Sequence, residues 1–460
     1  MPVRVTQLPW PSDLIGTVRA LRDPRHPFAW LDDARAEDAA VSLVAVEPLL
    51  VVQQQWEQAA NLISAAADTT RHACGWTLWQ QTDRLAPAAD HDGPVGPGWL
   101  GYVGFEQANL LERLPNKAPD PLNLPQLQLG YYPDVFRLDH RRGLVELLST
   151  PETPWDAGRR SVEEWTHRWC DACEKPTPSQ TSTATPILTW DWSEDEYVAA
   201  IQRVLAYIAA GDIYQANIAQ RGTLQKLGDP LENFFAIRAA NPAEYGALIA
   251  WDDAAVLSHS PELFLSSVDD NVLTSPIKGT RPRGSTPTED AANIADLLAS
   301  EKEAAELAMI VDLHRNDLGR ACRPGSVRVT AARRVETHPS VIHTVADVIG
   351  TLSPGQRPLD LLKVCFPAGS ISGVPKIRAL EIIAELEPCT RGAYTGAVLN
   401  LTCGAALQAN VAIRTLQQRG SEGALWFGGG IVADSDPHAE FAETFAKAGG
   451  ILRGLGHPGH

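Results

Sequence analysis

Short strand-like runs recur along this chain, rich in apolar and β-branched residues and closed by glycine, asparagine or aspartate turns. They include Leu127 to Tyr132, Leu144 to Leu148, Ile213 to Arg221, Tyr245 to Ala250, Ala255 to Ser258, Leu263 to Ser266, Gly396 to Leu401, Ala409 to Leu416 and Leu425 to Val432. Runs of this length must pair with neighbours, and tight turns join antiparallel partners. Helical periods are fewer. Ser193-Glu-Asp-Glu196 is a capping-box pattern, followed by Val198, Ile201, Val204, Leu205 and Ile208 at helical spacing, and Gly211 stops the helix. The patterns predict a second long helix over Pro287 to Leu313, a third over Pro375 to Leu386 and a last one starting at Pro437. The whole reads as mixed α and β with much antiparallel sheet, and no repeat of solenoid type is present.

With 460 residues the chain has room for two to four domains at roughly 100–200 residues each. Eleven of its thirteen tryptophans lie at or before Trp192, so composition changes along the sequence. A Pro/Thr/Ser-rich stretch, Lys175 to Pro186, marks the change and reads as a linker or long surface loop. The expected organisation is therefore a β-rich N-terminal region over 1–173, a linker or loop over 174–190 and a second region over 191–460.

Acidic residues number 56 against 39 basic ones, a net charge of −17. That balance argues against nucleic acid or an anionic membrane as partner, but not against a small anion held by a few local cations. Nothing behind Met1-Pro2-Val3-Arg4 reads as a signal peptide, and the longest apolar stretch, near Ala40 to Val52, is broken by Glu47 and Pro48. The seven cysteines are scattered and odd in number, which suits a reducing, cytoplasmic setting. Cys170 and Cys173 lack a second ligand pair and read as two thiols on a helix.

Four features carry possible chemistry. Glu440, Glu443 and Lys447 share one face of the last helix, just after the triplet Gly428-Gly429-Gly430, whose amides a carboxylate could approach closely. Glu303 and Glu306 repeat the pattern at the start of another helical run, and oxygen-only ligands from two helices suit Mg²⁺. A solvated, salt-bridged helix face would look the same in sequence. Lys278 lies between an apolar strand and a Gly279-Thr280 turn; a lysine buried there would lose basicity and become nucleophilic, or else be a partnered structural residue. The polar residues of Leu313 to Gly319 fit a buried hydrogen-bonding network as well as catalysis.

These pieces occur in order, and residues from about Trp192 to Lys447 resemble the chorismate-utilising enzymes, which include anthranilate synthase component I, aminodeoxychorismate synthase component I and the isochorismate and salicylate synthases. The matching stretches are Gly211-Asp-Ile-Tyr-Gln-Ala-Asn-Ile-Ala-Gln-Arg221, Ser260-Pro-Glu-Leu263, Pro276-Ile-Lys-Gly-Thr-Arg-Pro-Arg-Gly284, Ala308 to Gly319, Val335-Glu-Thr-His-Pro339, Phe366 to Lys376, Arg391-Gly-Ala-Tyr-Thr-Gly396, Ile413-Arg-Thr415 and Gly428-Gly-Gly-Ile-Val432. The N-terminal third is similar more loosely, at Gly101-Tyr-Val-Gly-Phe105 and near Leu124-Pro125. The resemblance implies an α+β fold: two antiparallel β-sheets packed across each other, helices outside, and the active site in the central cleft. It implies Mg²⁺ held by Glu306 and Glu443, with Glu303 and Glu440 close by. It implies a substrate-carboxylate cradle of Tyr394, Arg414 and the amides of Gly428, Gly429 and Gly430, with Gly279, Thr280 and Ser370 also at the substrate and Lys447 near the metal-bound carboxylate. His343 and Glu262 take acid–base roles.

Two positions separate branches of that family. Branches that add water carry a lysine base where this chain has Gln215, so the resemblance implies ammonia as nucleophile. Anthranilate synthases typically have alanine where this chain has Lys278, as aminodeoxychorismate synthases do. In that branch the lysine attacks C2 of chorismate as the 4-hydroxyl leaves, and ammonia then adds at C4 and expels the lysine. The ammonia comes from a separate glutamine amidotransferase, and no glutaminase signature surrounds any of the seven cysteines here. Competing readings are an anthranilate synthase and a non-catalytic subunit that only activates a glutaminase. Family members also carry a tryptophan pocket built partly on a Leu-x-Ser-like motif; the corresponding place reads Leu31-Asp32-Asp33, a departure that adds charge.

Overall fold

The computed structural model describes residues 2–33, 41–64, 70–86, 93–115, 122–179, 185–338, 341–403 and 406–457. Two 12-stranded sheets dominate it, and the strand ladders are antiparallel throughout the described residues. In the first sheet the order runs Arg4–Leu8, Leu144–Ser149, Asp134–Asp139, Val41–Val46, Phe28–Asp32, Tyr245–Trp251, Ala254–Ser260, Thr415–Arg419, Glu422–Ile431, Gln215–Gln225 and Ile187–Trp190, with Gly373–Val374 attached to Gln215–Gln225. The second runs Ile277–Pro282, Val341–Thr351, Asn271–Ser275, Leu263–Val268, Ala406–Asn410, Ala397–Thr402, Gly98–Val103, Leu127–Tyr132, Leu50–Gln54, Ala60–Ser64 and Thr70–His72, with Arg328–Thr337 beside Val341–Thr351.

Apolar side chains of both sheets meet in one cluster, Leu43 and Val256 of the first against Leu100 and Tyr132 of the second. Outside the first sheet, helices Leu14–Leu21, Val162–Glu174, Pro230–Ala240 and Pro437–Gly454 bury Val18, Trp169, Phe234 and Ile451 against it. Outside the second lie Gly75–Asp83, Glu301–Gly319 and Pro358–Cys365, through Trp79, Leu307 and Leu361. The tryptophan-rich N-terminal third thus supplies bulky filling to both outer layers. Cys170 and Cys173 sit on one helix as expected, and all seven cysteines are free thiols. Among the described residues no helix is long and apolar enough to cross a membrane.

Composition divides the chain near residue 174, but hydrogen bonding does not. Phe28–Asp32 pairs with Tyr245–Trp251 in the first sheet, and Gly98–Val103 pairs with Ala397–Thr402 in the second. Residues 1–173 and 191–460 therefore share both sheets. Within the stretch 174–190, residues 180–184 lie outside the described residues, and Ile187–Trp190 is an edge strand of the first sheet.

Two expected elements are each split, and both splits serve the cleft. The helix anticipated over Pro287 to Leu313 is two helices, Pro287–Ala299 and Glu301–Gly319. Ser300 breaks it with extended backbone, and its side chain accepts a hydrogen bond from the Glu303 N–H at 3.3 Å. A fresh N-cap signal overrode the continuing apolar period. The strand anticipated over Ala409 to Leu416 is also two: Ala406–Asn410 belongs to the second sheet and Thr415–Arg419 to the first. Residues 411–414 cross between the sheets, and Arg414 turns the corner with φ 51°. Ser193 caps its helix in a full capping box, and Pro437 opens the last helix behind the Asp436 cap, both as the sequence indicated.

Candidate active site

The crossover at 411–414 delivers Arg414 to a cavity of about 780 Å³ between the sheets, a volume ordinary for a small-molecule site. Its wall includes Glu262, Lys278, Gly279, Thr280, Glu303, Glu306, His343, Ser370, Tyr394, Arg414, Gly428, Gly429, Gly430, Glu440, Glu443 and Lys447. Every candidate site residue named from the sequence is on that wall except Gln215. That side chain is fully buried behind it, where a Cβ built on Gly430 would come within 2.6 Å of Gln215 Nε2 and 3.1 Å of Lys278 Nζ. Sequence reading passed over Asn217, Lys302 and Arg453, which also line the cavity.

One side of the cavity suits an anion. Arg414 makes no ion pair with any described residue, and burial lowers its pKa. A largely enclosed guanidinium without a counter-ion marks a place for a bound carboxylate. Tyr394 stands on Trp426 with ring centroids 6.1 Å apart and planes 11° apart, and burial holds its phenol protonated well above the usual range. It can therefore only donate or accept a hydrogen bond, not ionise. Gly429 and Gly430 leave the strand surface bare there, since a side chain at either would collide with Glu440 or with Gln215 and Lys278.

An adjoining part of the wall, which meets the first where Glu440 approaches Gly429, suits a cation. Glu303 and Glu306 rise from the first turns of Glu301–Gly319, and Glu440 and Glu443 from the first turns of Pro437–Gly454. Glu440 accepts from the Ser435 hydroxyl at 2.7 Å, Glu443 pairs with Lys447 at 2.7 Å, and Glu303 Oε1 pairs with Arg281 at 2.9 Å. Burial raises the Glu440 pKa against that hydrogen bond; for Glu443 burial raises it too, but Lys447 and Lys278 outweigh it and leave it low. Glu303 Oε2 is buried without a partner, and Glu306 makes no hydrogen bond or salt bridge with a described residue. Among the described residues no three Asp, Glu, His or Cys side chains gather closely enough to hold a metal by themselves. The set offers oxygen ligands, one or two at a time, which fits Mg²⁺, an ion that usually keeps several waters.

Lys278 lies near both, its Nζ close to Gly430. Burial lowers its pKa and Lys447 lowers it further, while Glu306, Glu262 and Glu443 pull it back. The carboxyl group of Glu262, pushed up to about 7 by burial, faces Lys278 and the Ser370 hydroxyl, and its Oε1 has no partner. His343 shares a 2.8 Å hydrogen bond with Thr280 through Nδ1, while Nε2 is buried and unpaired. Burial, with Arg414 nearby, drops its pKa to about 3. Near neutrality His343 is thus an uncharged imidazole, whereas Glu262 is the group able to carry a proton.

Behind Tyr394 the turn 391–396 is held from four directions. Arg391 is fully buried and grips Glu387 through Nε at 2.9 Å and Nη2 at 2.6 Å. The same guanidinium donates to the carbonyls of Asn217 at 2.7 Å and Ile371 at 3.3 Å and to Thr395 Oγ1 at 3.1 Å. Glu106, from the N-terminal third, accepts the N–H groups of Arg391 at 2.6 Å and Gly392 at 3.0 Å. Gln417 accepts from the Ala393 N–H at 3.0 Å and donates to the Arg391 carbonyl at 2.8 Å.

Other polar features lie outside this cavity. His314 bonds Thr274 at 2.8 Å and Asp317 pairs with Lys376 at 2.6 Å, so the 313–319 segment forms a buried network beside a separate hollow of about 1010 Å³. Asp32 is buried and bound by Arg238 at 2.5 Å and by the Ser42 hydroxyl at 2.7 Å, on the wall of a third hollow of about 410 Å³.

The sequence matches the chorismate binding enzyme family over residues 26–453. It is 39% identical to aminodeoxychorismate synthase component 1 of Klebsiella aerogenes, over 79% of this chain and 78% of that one. It is 37% identical to anthranilate synthase component 1 of Thermus thermophilus over the same shares. The crystal structure of anthranilate synthase component I from Streptococcus pneumoniae superposes with a TM-score of 0.79 at 27% identity, covering 91% of this chain and 93% of that one.

The network behind Tyr394 makes a direct prediction. Arg391→Met leaves Glu387 buried without its charge partner, which should destabilise the fold by about 3–5 kcal/mol. Chemical denaturation followed by tryptophan fluorescence measures this, and a loss under about 1 kcal/mol would contradict the assigned role.

Proposed function

The chain belongs to the chorismate binding enzyme family, and within it we propose an aminodeoxychorismate synthase subunit, which replaces the 4-hydroxyl of chorismate with an amino group. The product, 4-amino-4-deoxychorismate, is the precursor of 4-aminobenzoate in folate biosynthesis. Identity alone favours neither of the two named activities, since relatives of both kinds match at nearly equal levels. Lys278 carries the choice: an amine of lowered basicity, on the wall of the cavity that also holds Arg414 and the four glutamates. A partnered structural lysine would be paired at hydrogen-bond distance, and Lys278 Nζ makes no hydrogen bond or salt bridge with a described residue.

In this reading the neutral Lys278 amine attacks C2 of the ring. The two ring double bonds shift, and the 4-hydroxyl leaves as water with a proton from Glu262, which is half protonated near pH 7. Ammonia then adds at C4, the double bonds shift back, and Lys278 departs from C2. Two displacements replace one difficult substitution. Arg414, Tyr394 and the amides of the glycine triplet hold one substrate carboxylate. Glu306 and Glu443, with Glu303 and Glu440 beside them, would hold Mg²⁺, which supplies neutralising charge for the ring carboxylate. Ammonia reaches the site from a separate glutamine amidotransferase, a partner in keeping with relatives named component 1. We place the enzyme in the cytoplasm, where free cysteines persist.

Product analysis tests the reading. Chorismate, Mg²⁺ and an ammonium salt should yield 4-amino-4-deoxychorismate, whereas glutamine without the partner should yield nothing. Lys278→Ala should lower kcat by about 100-fold or more while the chorismate KM changes little, because the carboxylate cradle is built from other residues. Anthranilate as the product, or an unimpaired mutant, would refute the assignment.

The metal assignment is checked separately. Excess chelator should abolish turnover, and Glu306→Gln should raise the Mg²⁺ concentration for half-maximal rate by about 10-fold or more. Activity that persists in chelator would remove Mg²⁺ from the scheme.

The acid role of Glu262 has a pH signature. Because the carboxyl must be protonated to release the hydroxyl, kcat should fall as pH rises through about 7. Glu262→Gln should lose that limb along with most of the rate. A mutant that keeps the same limb would assign it to another group.

A further inference from the structure

We infer that Arg453, with the Asn241 amide beside it, forms an outer carboxylate-binding station at the mouth of the cavity, where chorismate docks before it reaches Arg414. The inference goes beyond the choice between products and rests only on chorismate as the substrate. Both residues line the cavity, and the exposed residues of its wall mark the mouth. Arg453 is one of them, and its guanidinium makes no hydrogen bond or ion pair with a described residue. The other cations near the mouth are engaged. Lys447 is held by Glu443 at 2.7 Å and by the Gly428 carbonyl at 2.8 Å. Arg281 is held by Asp296 at 2.6 Å and Glu303 at 2.9 Å, and the charge of Lys302 acts on Glu440 and Glu443. Asn241 is 8% exposed, and its Nδ2 is enclosed without a partner.

Two glycines bring the pair together. Gly449 and Gly450 stand inside the helix Pro437–Gly454, where glycine is unfavourable and alanine would serve unless room were needed. A Cβ at Gly450 would come within 2.8 Å of Asn241 Oδ1, and one at Gly449 within 3.1 Å of Arg453 Nη1. The guanidinium therefore lies back along the helix over Gly449, on the turn against which Asn241 packs. The last side-chain torsion of an asparagine is soft, and a half-turn there aims its NH2 group into the cavity. A guanidinium carries donors only, and with an amide N–H beside it the match is an oxyanion. Chorismate is a dicarboxylate, and a chain of net charge −17 repels it over most of its surface. An unpaired cation at the mouth raises its local concentration and its rate of entry. Arg453 follows Glu443 by ten residues, about 15 Å along the helix axis. The station thus lies outside the reach of the glutamates at the other end of that helix.

Steady-state consumption of chorismate by the full chain, measured from low to high sodium chloride, tests the station. Arg453→Gln should raise the chorismate KM about tenfold at low salt and leave kcat and the ammonium KM within about twofold. The fall of kcat/KM with salt should flatten in that variant, and Arg453→Lys, which keeps the charge, should restore most of it. Asn241→Asp should behave like Arg453→Gln, because the new carboxylate pairs with the guanidinium. Inorganic phosphate should compete with chorismate in the parent and less in Arg453→Gln. An unchanged chorismate KM with the same salt dependence overturns the inference. So does a kcat that falls about tenfold, which would put Arg453 on the seated substrate. Phosphate that alters kcat without competing would make this an effector site and overturn the entry role. A parent that yields anthranilate refutes the amination reading alone, since each of these measurements follows chorismate.

Discussion

Arg391 and its buried partners hold the site together. One guanidinium bonds Glu387, the Asn217 strand, the Ile371 carbonyl and Thr395, while Glu106 clamps the same turn from the N-terminal third. Removing ions from water costs several kcal/mol each, recovered only when geometry and additional hydrogen bonds are good. Here the return is positional. Tyr394, Asn217 and Ser370 flank that network, so this part of the cavity keeps its shape from bonds made behind its wall. The cavity can then tolerate unpaired groups such as Arg414, Glu303 Oε2 and the Gln215 amide.

Opposed environments let one cavity hold an amine of lowered basicity, a carboxyl group of raised pKa and a set of carboxylates. Lys278 and Glu262 are both displaced toward neutrality by the same burial, the amine downward and the carboxyl upward. Glu443 moves the other way because Lys447 touches it. Glu443 is thereby held charged, whereas burial favours the neutral form of both Lys278 and Glu262. His343 is carried below the neutral range by burial and by Arg414, so it stands as an uncharged imidazole near neutrality.

Much of this was readable from residue order. The start signal at Pro437 located the helix that carries Glu440 and Glu443, and the family resemblance named about half of the residues that line the cavity. What escaped depends on three-dimensional placement. The apolar period ran through Ser300 without sign of a break, although Ser300-Glu-Lys-Glu303 is itself a capping signal. The continuous run Ala409 to Leu416 concealed a change of sheet, because both halves are equally apolar. Asn217 looked like any polar residue in a strand until its oxygen proved enclosed and unpaired. The tryptophan gradient marked a change of composition near residue 174, and strand pairing in the first and second sheets runs across it.

That interleaving bears on how the protein is made. Strand Phe28–Asp32 waits for Tyr245–Trp251, and Gly98–Val103 waits for Ala397–Thr402, separations of more than 200 residues. At roughly 5–20 residues per second of synthesis, the earliest strands leave the ribosome tens of seconds before their neighbours. During that interval their edges and apolar faces are uncovered, and pairings across such distances are slow to close. Neither sheet can be completed on a nascent chain that lacks its last hundred residues. Yield in a cell is therefore set by protection of the half-made chain, by chaperones or by the pace of translation, as much as by the stability of the finished fold.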